Sequence, residues 1–122
     1  MNAILLQEKI DRLLNSVRLL LPNGSNRGYV YSDDLAQLNK SIHDLINELY
    51  SQRCETVEQE AALCLAILMG YSVSMYANSE DEVQKQSILE RAKKLLRVLS
   101  PSLLKKQLFT IYFELYYSPK FY

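Results

Sequence analysis

The sequence predicts an all-α protein, a single compact domain of about five helices around one central apolar helix. Apolar residues recur at alternating intervals of three and four, glycine and proline number only three each, and 122 residues suit one domain. Lysine plus arginine and aspartate plus glutamate both number 14, and 48% of the residues are hydrophobic. This composition excludes disordered, histone-like and disulfide-framework proteins. We therefore expect residues 1–122 to form one domain.

The first predicted helix runs from Asn2 to Leu21. Its apolar residues share one face at spacings of four and three: Leu6, Ile10, Leu13, Val17 and Leu20. A turn cluster at Pro22 then opens a loop over Pro22–Tyr31, in which Gly28 is a candidate for positive φ.

The second predicted helix runs from Ser32, an N-cap, to Gln52. Asp33 and Asp34 are placed favourably against its positive N-terminal dipole. Its apolar residues form one stripe: Leu35, Leu38, Ile42, Leu45 and Leu49. This spacing is typical of a helix packed against antiparallel neighbours.

The third predicted helix begins at a capping box formed by Thr56 and Gln59. The segment Ala61–Met69 is apolar on every side, so we expect the other helices to cover it. Polar residues follow within the charge-free stretch Ala61–Ser79, which favours a buried core helix over a membrane span. Gly70 indicates either close helix packing or a kink.

Ser79 and Glu82 form a second capping box and start the fourth predicted helix. Its inner face carries Ile88, Ala92, Leu95 and Leu99, and its outer face is basic. Ser100 and Pro101 predict the N-cap and first residue of a fifth helix, which ends near Ser118.

Patterns for catalysis and metal binding are weak. His43 is the only histidine, and a nucleophile–base pair would require it to meet Cys54 or Cys64 beside an orienting third group. We interpret His43 as a half-exposed residue on a helix flank and the cysteines as reduced thiols; a small hydrolase using Cys64 and His43 is a third-ranked hypothesis. Without a phosphate-binding glycine loop or metal-ligand spacing, we expect no enzyme, no cofactor and no metal.

Charge is uneven along the chain. Residues 1–82 contain 6 basic and 12 acidic residues, a net charge of −6, whereas residues 83–122 contain 8 and 2, a net charge of +6. Such asymmetry can steer the approach of a partner whose electrostatic field is complementary to that of this protein. The first residues lack the positive region of a secretory signal, so we expect a cytoplasmic protein without membrane association.

Seven basic residues lie on the fourth helix and the start of the fifth: Lys85, Arg91, Lys93, Lys94, Arg97, Lys105 and Lys106. These side chains could neutralise the phosphates of a nucleic acid. The fourth and fifth helices are joined by a short turn, which also allows a helix-turn-helix interpretation. However, the fifth helix has few polar residues to contact bases, with Gln107 alone near its start. We favour a solvated basic face, and keep a nucleic-acid-binding regulator as the alternative.

The C-terminal segment is rich in aromatic residues. Seven of the chain's twelve follow Leu108: Phe109, Tyr112, Phe113, Tyr116, Tyr117, Phe121 and Tyr122. A separate stripe, Leu104, Leu108, Ile111 and Leu115, already supplies a core face, so the rings are surplus to it. Tyrosine-rich surfaces are favoured where proteins meet. Two interpretations remain open. The rings bind a different protein, or they are covered by self-association or by folding back over the core.

Three segments carry a resemblance to a known family. They are residues 30–35 with Leu38 and Asn39, reading VYSDDL and LN; Glu58–Tyr76, reading EQEAALCLAILMGYSVSMY; and Leu99–Thr110, reading LSPSLLKKQLFT. In this order they resemble the UpxZ family of transcription antiterminator antagonists. The middle and last segments are the specific ones.

The resemblance implies a regulator from bacteria with several capsular polysaccharide loci, each with its own NusG-like antiterminator. Family members inhibit the antiterminators of other loci without catalysis, so the implied partner is a NusG-like protein. The family supplies no residue roles. From the chain itself we predict Tyr112, Tyr116 and Tyr117 as apolar anchors and Lys93, Lys94 and Arg97 as steering charges for that partner.

Overall fold

A computed structural model shows five α-helices in chain order and describes residues 2–20, 32–73 and 79–117. The helices are α1 (Ala3–Leu20), α2 (Ser32–Leu49), α3 (Val57–Val73), α4 (Ser79–Val98) and α5 (Leu103–Tyr117). The predicted all-α class and helix order are confirmed. The predicted loop Pro22–Tyr31 lies outside the described residues, as do the side chains at 20, 32–35 and 79, so the capping roles there stay predictions.

The central position predicted for α3 is confirmed. This helix packs against each of the other four, whereas no Cα atom of α1 or α2 comes within 8 Å of one in α4 or α5. The pair α1–α2 therefore covers one side of α3 and the pair α4–α5 covers the other. Most side chains from Ala61 to Leu68 are buried, because every side of α3 meets a neighbouring helix. Among the described helices, none is both long and apolar enough to cross a bilayer.

The predicted inner faces supply most of the remaining core. The buried residues that those stripes contain are Leu6, Ile10, Leu13, Val17, Ile42, Leu45, Leu49, Ile88, Ala92, Leu99, Leu108 and Ile111. Ile46 and Leu89 are also buried, which widens the apolar faces of α2 and α4 beyond the predicted stripes. Burial of these faces from water drives the packing of the five helices.

Gly70 allows α2 to pack closely against α3. A Cβ atom built on Gly70 would lie 2.7 Å from Cδ1 of Ile46 and 3.4 Å from Cγ2 of Ile42. Both atoms belong to the buried face of α2, so Gly70 serves close packing at this contact.

Two predicted helix starts differ in detail from the structure. The Thr56 hydroxyl accepts the Gln59 backbone N–H at 3.1 Å, as expected of an N-cap. The Gln59 side chain does not complete the capping box; it donates to the backbone oxygen of Ala3 on α1 at 3.0 Å. In α5 the cap is Ser102, whose hydroxyl accepts the Lys105 N–H at 3.1 Å, so the prediction of Ser100 was wrong by two residues.

The second helix ends at Leu49, three residues before the predicted Gln52. The physical reason is Arg91 on α4, whose guanidinium donates to the backbone oxygen of Tyr50 at 3.1 Å and of Gln52 at 3.0 Å. These two carbonyls therefore accept hydrogen bonds from a side chain of another helix. The chain leaves α2 at this point and turns towards α3.

Candidate protein-interaction site

The fifth helix presents one face to the core and several aromatic rings to solvent. Leu108 and Ile111 are buried, and Leu104 and Leu115 pack against the core, which confirms the predicted inner stripe. Four rings remain about half exposed or more: Phe109 at 54%, Phe113 at 50%, Tyr116 at 48% and Tyr117 at 61%. The predicted surplus of aromatic surface is therefore present on α5.

The exposed rings stack along the helix in two groups. Tyr112 and Tyr116 are stacked with ring centroids 5.4 Å apart. Phe109, Phe113 and Tyr117 form a second row, with centroids separated by 6.0 Å and then 4.6 Å. An edge contact of 4.8 Å between Tyr116 and Tyr117 joins the two groups. The three predicted anchors thus fall into a Tyr112–Tyr116 pair and a Tyr117 that belongs mainly to the phenylalanine row.

The Tyr112–Tyr116 pair lies on the side of α5 that faces α4. Burial raises the pKa of Tyr112, and the neighbouring Tyr116 and Tyr117 raise it further. On α4, Glu90 also raises this pKa and Arg97 lowers it. Arg97 is exposed beside this pair, and Lys93 is exposed one turn earlier on α4. We call Tyr112, Tyr116, Lys93 and Arg97 the α4–α5 face: stacked neutral rings bordered by exposed positive charge.

The remaining basic residues do not form one continuous patch. Lys94 is exposed next to Lys93, but Lys85 pairs with Glu82 at 3.0 Å. Arg91 points inward to Glu60 and is largely buried. The structure therefore removes Arg91 from the set of candidate phosphate ligands and leaves Lys85 partly neutralised.

A groove runs along the opposite flank of α5, between this helix and α3. Its volume is about 380 Å³. The residues that line it come from both helices: Leu65, Met69, Leu103, Lys106, Gln107, Thr110, Ile111 and Glu114. The sequence analysis missed this groove, because its walls are brought together only by the packing of α5 on α3.

The predicted catalytic alternative gains no geometric support. His43 has Nε2 3.2 Å from a carboxylate oxygen of Asp81 and Nδ1 3.3 Å from the side-chain amide of Asn47, so both ring nitrogens are engaged. Burial raises the pKa of Cys64 to about 12, and burial together with Glu60 raises that of Cys54 to about 11. Both thiols are protonated near neutral pH and are poor nucleophiles. Within the described residues, no group of three or more His, Cys, Asp or Glu side chains is placed to hold a metal ion.

The chain is similar to proteins that act in transcription. Residues 10–114 match the model of the UpxZ family of transcription anti-terminator antagonists. The chain is also similar to the crystal structure of a transcription anti-terminator antagonist UpxZ from Bacteroides uniformis ATCC 8492, with 32% identity and a TM-score of 0.78. That match covers 93% of this chain and 70% of the crystal structure's chain. No match was found among curated proteins.

Proposed function

The chain belongs to the UpxZ family of transcription anti-terminator antagonists, and from this membership we propose that it binds NusG-like anti-terminators of other capsular polysaccharide loci and thereby inhibits transcription of those operons. The mechanism is stoichiometric binding, which requires neither catalysis nor a cofactor. We expect the protein to work in the cytoplasm, where transcription takes place.

The observation that carries the proposal is the Tyr112–Tyr116 stack beside Arg97 on the α4–α5 face. A tyrosine ring buries a large apolar area with few rotatable bonds, and its hydroxyl tolerates water before binding. Tyrosine and arginine are enriched among the residues that dominate binding energy at protein interfaces. The two rings therefore suit a shallow apolar patch on a protein partner.

The exposed cations determine which charge the partner should carry. Lys93, Lys94 and Arg97 are exposed on the last turns of α4, and Arg97 acts electrostatically on Tyr112 of α5. Charges at an interface rim act mainly on the association rate, and salt screens them. We expect carboxylates around the apolar patch of the anti-terminator, and an association rate that falls as ionic strength rises.

Inhibition then follows from occlusion. A specific interface of ordinary size covers about 800 Å² on each partner. A NusG-like domain covered to that extent by this protein loses surface that it needs for RNA polymerase or for nascent RNA. The antagonist is consumed in proportion to the anti-terminator, so its effect should saturate near a ratio of about one to one.

A binding assay with purified components tests the proposal. The chain is immobilised and exposed to purified anti-terminators from several foreign capsule loci, with the anti-terminator of its own locus for comparison. We expect at least one foreign protein to bind and to lose its activity in a reconstituted elongation reaction. If none binds, or if read-through persists with the chain in excess, the proposal is wrong.

A second candidate is a nucleic-acid-binding regulator, which the exposed cations Lys93, Lys94 and Arg97 favour. It predicts binding to DNA or RNA that weakens steeply with salt, and that is lost when these three residues are changed to Gln. Fluorescence anisotropy with labelled duplex DNA and single-stranded RNA separates the two candidates, since the protein-binding proposal predicts no such complex.

A further inference from the structure

The outward face of α5 carries a second stripe, distinct from its inner one. Residues at spacings of three, four, three and four share this face, and all are exposed: Leu103, Lys106, Thr110, Phe113 and Tyr117. Such spacing is typical of a seam between two helices. Leu103 at 69% and Tyr117 at 61% exposure show that the described part of this chain leaves the ends of the seam open to solvent.

The middle of this seam is a small residue. Thr110 lies at its centre, and its hydroxyl donates to the Lys106 backbone oxygen at 2.9 Å. This hydrogen bond is made within α5. The Thr110 hydroxyl therefore keeps its acceptor when another protein covers this residue. A small residue at a helix crossing lets two backbones approach closely.

Opposite charges lie at equal distances on either side of that centre. Lys106 precedes Thr110 by four residues and Glu114 follows it by four, and both side chains are exposed. Within the described residues neither of them forms an ion pair, and eight residues of helix separate them by about 12 Å. The charge pattern of this face is therefore complementary to that of an identical face that runs in the opposite direction.

We propose that this face binds a second copy of the chain, with the two α5 helices antiparallel and their two-fold axis at Thr110. In that register Lys106 of each copy faces Glu114 of the other, and Leu103 faces Tyr117. A two-fold interface repeats each contact, so two ion pairs form. A parallel pair would instead place Lys106 against Lys106 and Glu114 against Glu114, and like charges disfavour that arrangement.

The shape of the surface agrees with this register. The groove between α3 and α5 is lined by Leu103, Lys106, Thr110 and Glu114, so it lies along the same seam. Its floor includes Leu65 and Met69 of α3, and Phe113 stands about half exposed one turn away. In the dimer, Phe113 of each copy faces Gln107 of the other and can bury its ring in that copy's groove.

The proposed dimer interface differs from the α4–α5 face. Tyr112 and Tyr116 lie towards α4, whereas Thr110 and Glu114 lie towards the groove on α3. Self-association therefore leaves the Tyr112–Tyr116 pair accessible. The two proposals are independent, and loss of one activity in a variant does not require loss of the other.

Charge-swap variants test the dimer by sedimentation velocity over a concentration series of the full chain. The unmodified chain should dimerise, and Lys106→Glu or Glu114→Lys alone should raise the dimer dissociation constant at least about tenfold, because each change turns both ion pairs into repulsive pairs. The double variant K106E/E114K should recover the original affinity. A mixture of the two single variants should form a heterodimer, since each then supplies the charge that the other lacks.

The outcomes separate the alternatives. At a concentration where every variant is monomeric, circular dichroism should show unchanged helix content and melting temperature, because Lys106 and Glu114 are exposed. A chain that stays monomeric at all concentrations overturns the proposal. So does a dimer whose affinity is unaffected by the single changes, or a pair of single variants that fails to associate when mixed. If the anti-terminator competes with the dimer for this face, a hetero-partner occupies it and the proposed register is wrong.

Discussion

Arg91 on α4 and Glu60 on α3 form an ion pair that also fixes the connection between α2 and α3. The guanidinium Nε donates to Oε2 of Glu60 at 3.1 Å, and the other carboxylate oxygen accepts the backbone N–H of Cys54 at 3.0 Å. The same guanidinium holds the carbonyls of Tyr50 and Gln52. One side chain thus links α4, α3 and the segment that follows α2.

Removing Arg91 should destabilise the fold strongly. Its side chain is 13% exposed and that of Glu60 is 15% exposed, so Arg91→Ala leaves a largely buried carboxylate without its cation. We expect the free energy of unfolding to fall by about 3 kcal/mol, measured by urea denaturation. Lys40→Ala is the control, because the Lys40–Asp44 pair is exposed and should contribute less than about 1 kcal/mol. Equal losses in the two variants would contradict this assignment.

Gly70→Ala should also destabilise the protein, through its contact with Ile46. Alanine is the better helix former by about 0.5–1 kcal/mol, but overpacking a core costs about 1–3 kcal/mol. The new Cβ would lie 2.7 Å from Cδ1 of Ile46, and valine lacks that atom. The loss caused by Gly70→Ala should therefore be smaller in an Ile46→Val background, which a double-mutant cycle measures. Additive losses would show that Ile46 is not the limiting contact.

Tyr116→Ala should weaken anti-terminator binding without weakening the fold. The side chain is 48% exposed, and its stacking partner Tyr112 keeps the rest of the α4–α5 face in place. Truncating an interfacial anchor of this kind typically costs about 2 kcal/mol or more, a rise in the dissociation constant of more than about tenfold. Phe113→Ala is the matched control, being an equally exposed ring on the outward face. Calorimetry that shows equal losses for both changes would place the contact elsewhere.

The two thiols should make stability fall at alkaline pH. Their pKa values are raised from 9.0 to about 11 for Cys54 and about 12 for Cys64. Below pH 9 both the folded and the unfolded thiols are protonated, so this contribution is fully present. As the pH rises from 9 towards 12, the unfolded chain loses these protons first and the free energy of unfolding decreases.

Denaturation curves over that pH range check this expectation, with Cys64→Ala as the comparison. That variant should show a shallower decrease with pH than the unmodified chain, since the most deeply buried thiol is gone. In addition, iodoacetamide at pH 8 should label Cys54 slowly and Cys64 more slowly still. Rapid labelling of Cys64 in the folded protein would contradict its burial.

The helices themselves were predictable because their signals are local. Apolar spacing identified the buried faces of α1, α2, α4 and α5, and the absence of a polar side identified α3 as the central helix. The N-cap at Thr56 was also correct. The α5 cap was misplaced because Ser100 and Ser102 both satisfy the local pattern, and the choice between them depends on the final path of the chain.

The candidate site was predictable in part. Composition indicated that the rings of α5 exceed what one core face requires, and four of them are exposed. It did not indicate that Tyr112 and Tyr116 lie beside Arg97 while Tyr117 stacks on Phe113. The two stacking pairs follow from four-residue spacing within α5. The position of Tyr112 beside Arg97 depends instead on the rotation of α5 against α4, which sequence spacing does not determine.

By itself, the sequence determined the helical class, the order of the helices, the identity of the central one and the excess of aromatic surface, because each depends on periodicity and composition along a short stretch. Tertiary structure alone decided that Arg91 faces inward to Glu60, that Gly70 meets Ile46, and that α3 and α5 enclose a groove. These relationships join residues that are 24 or more positions apart in the chain. Long-range contacts of this kind arise from how helix faces dock, and no local pattern encodes the docking angle.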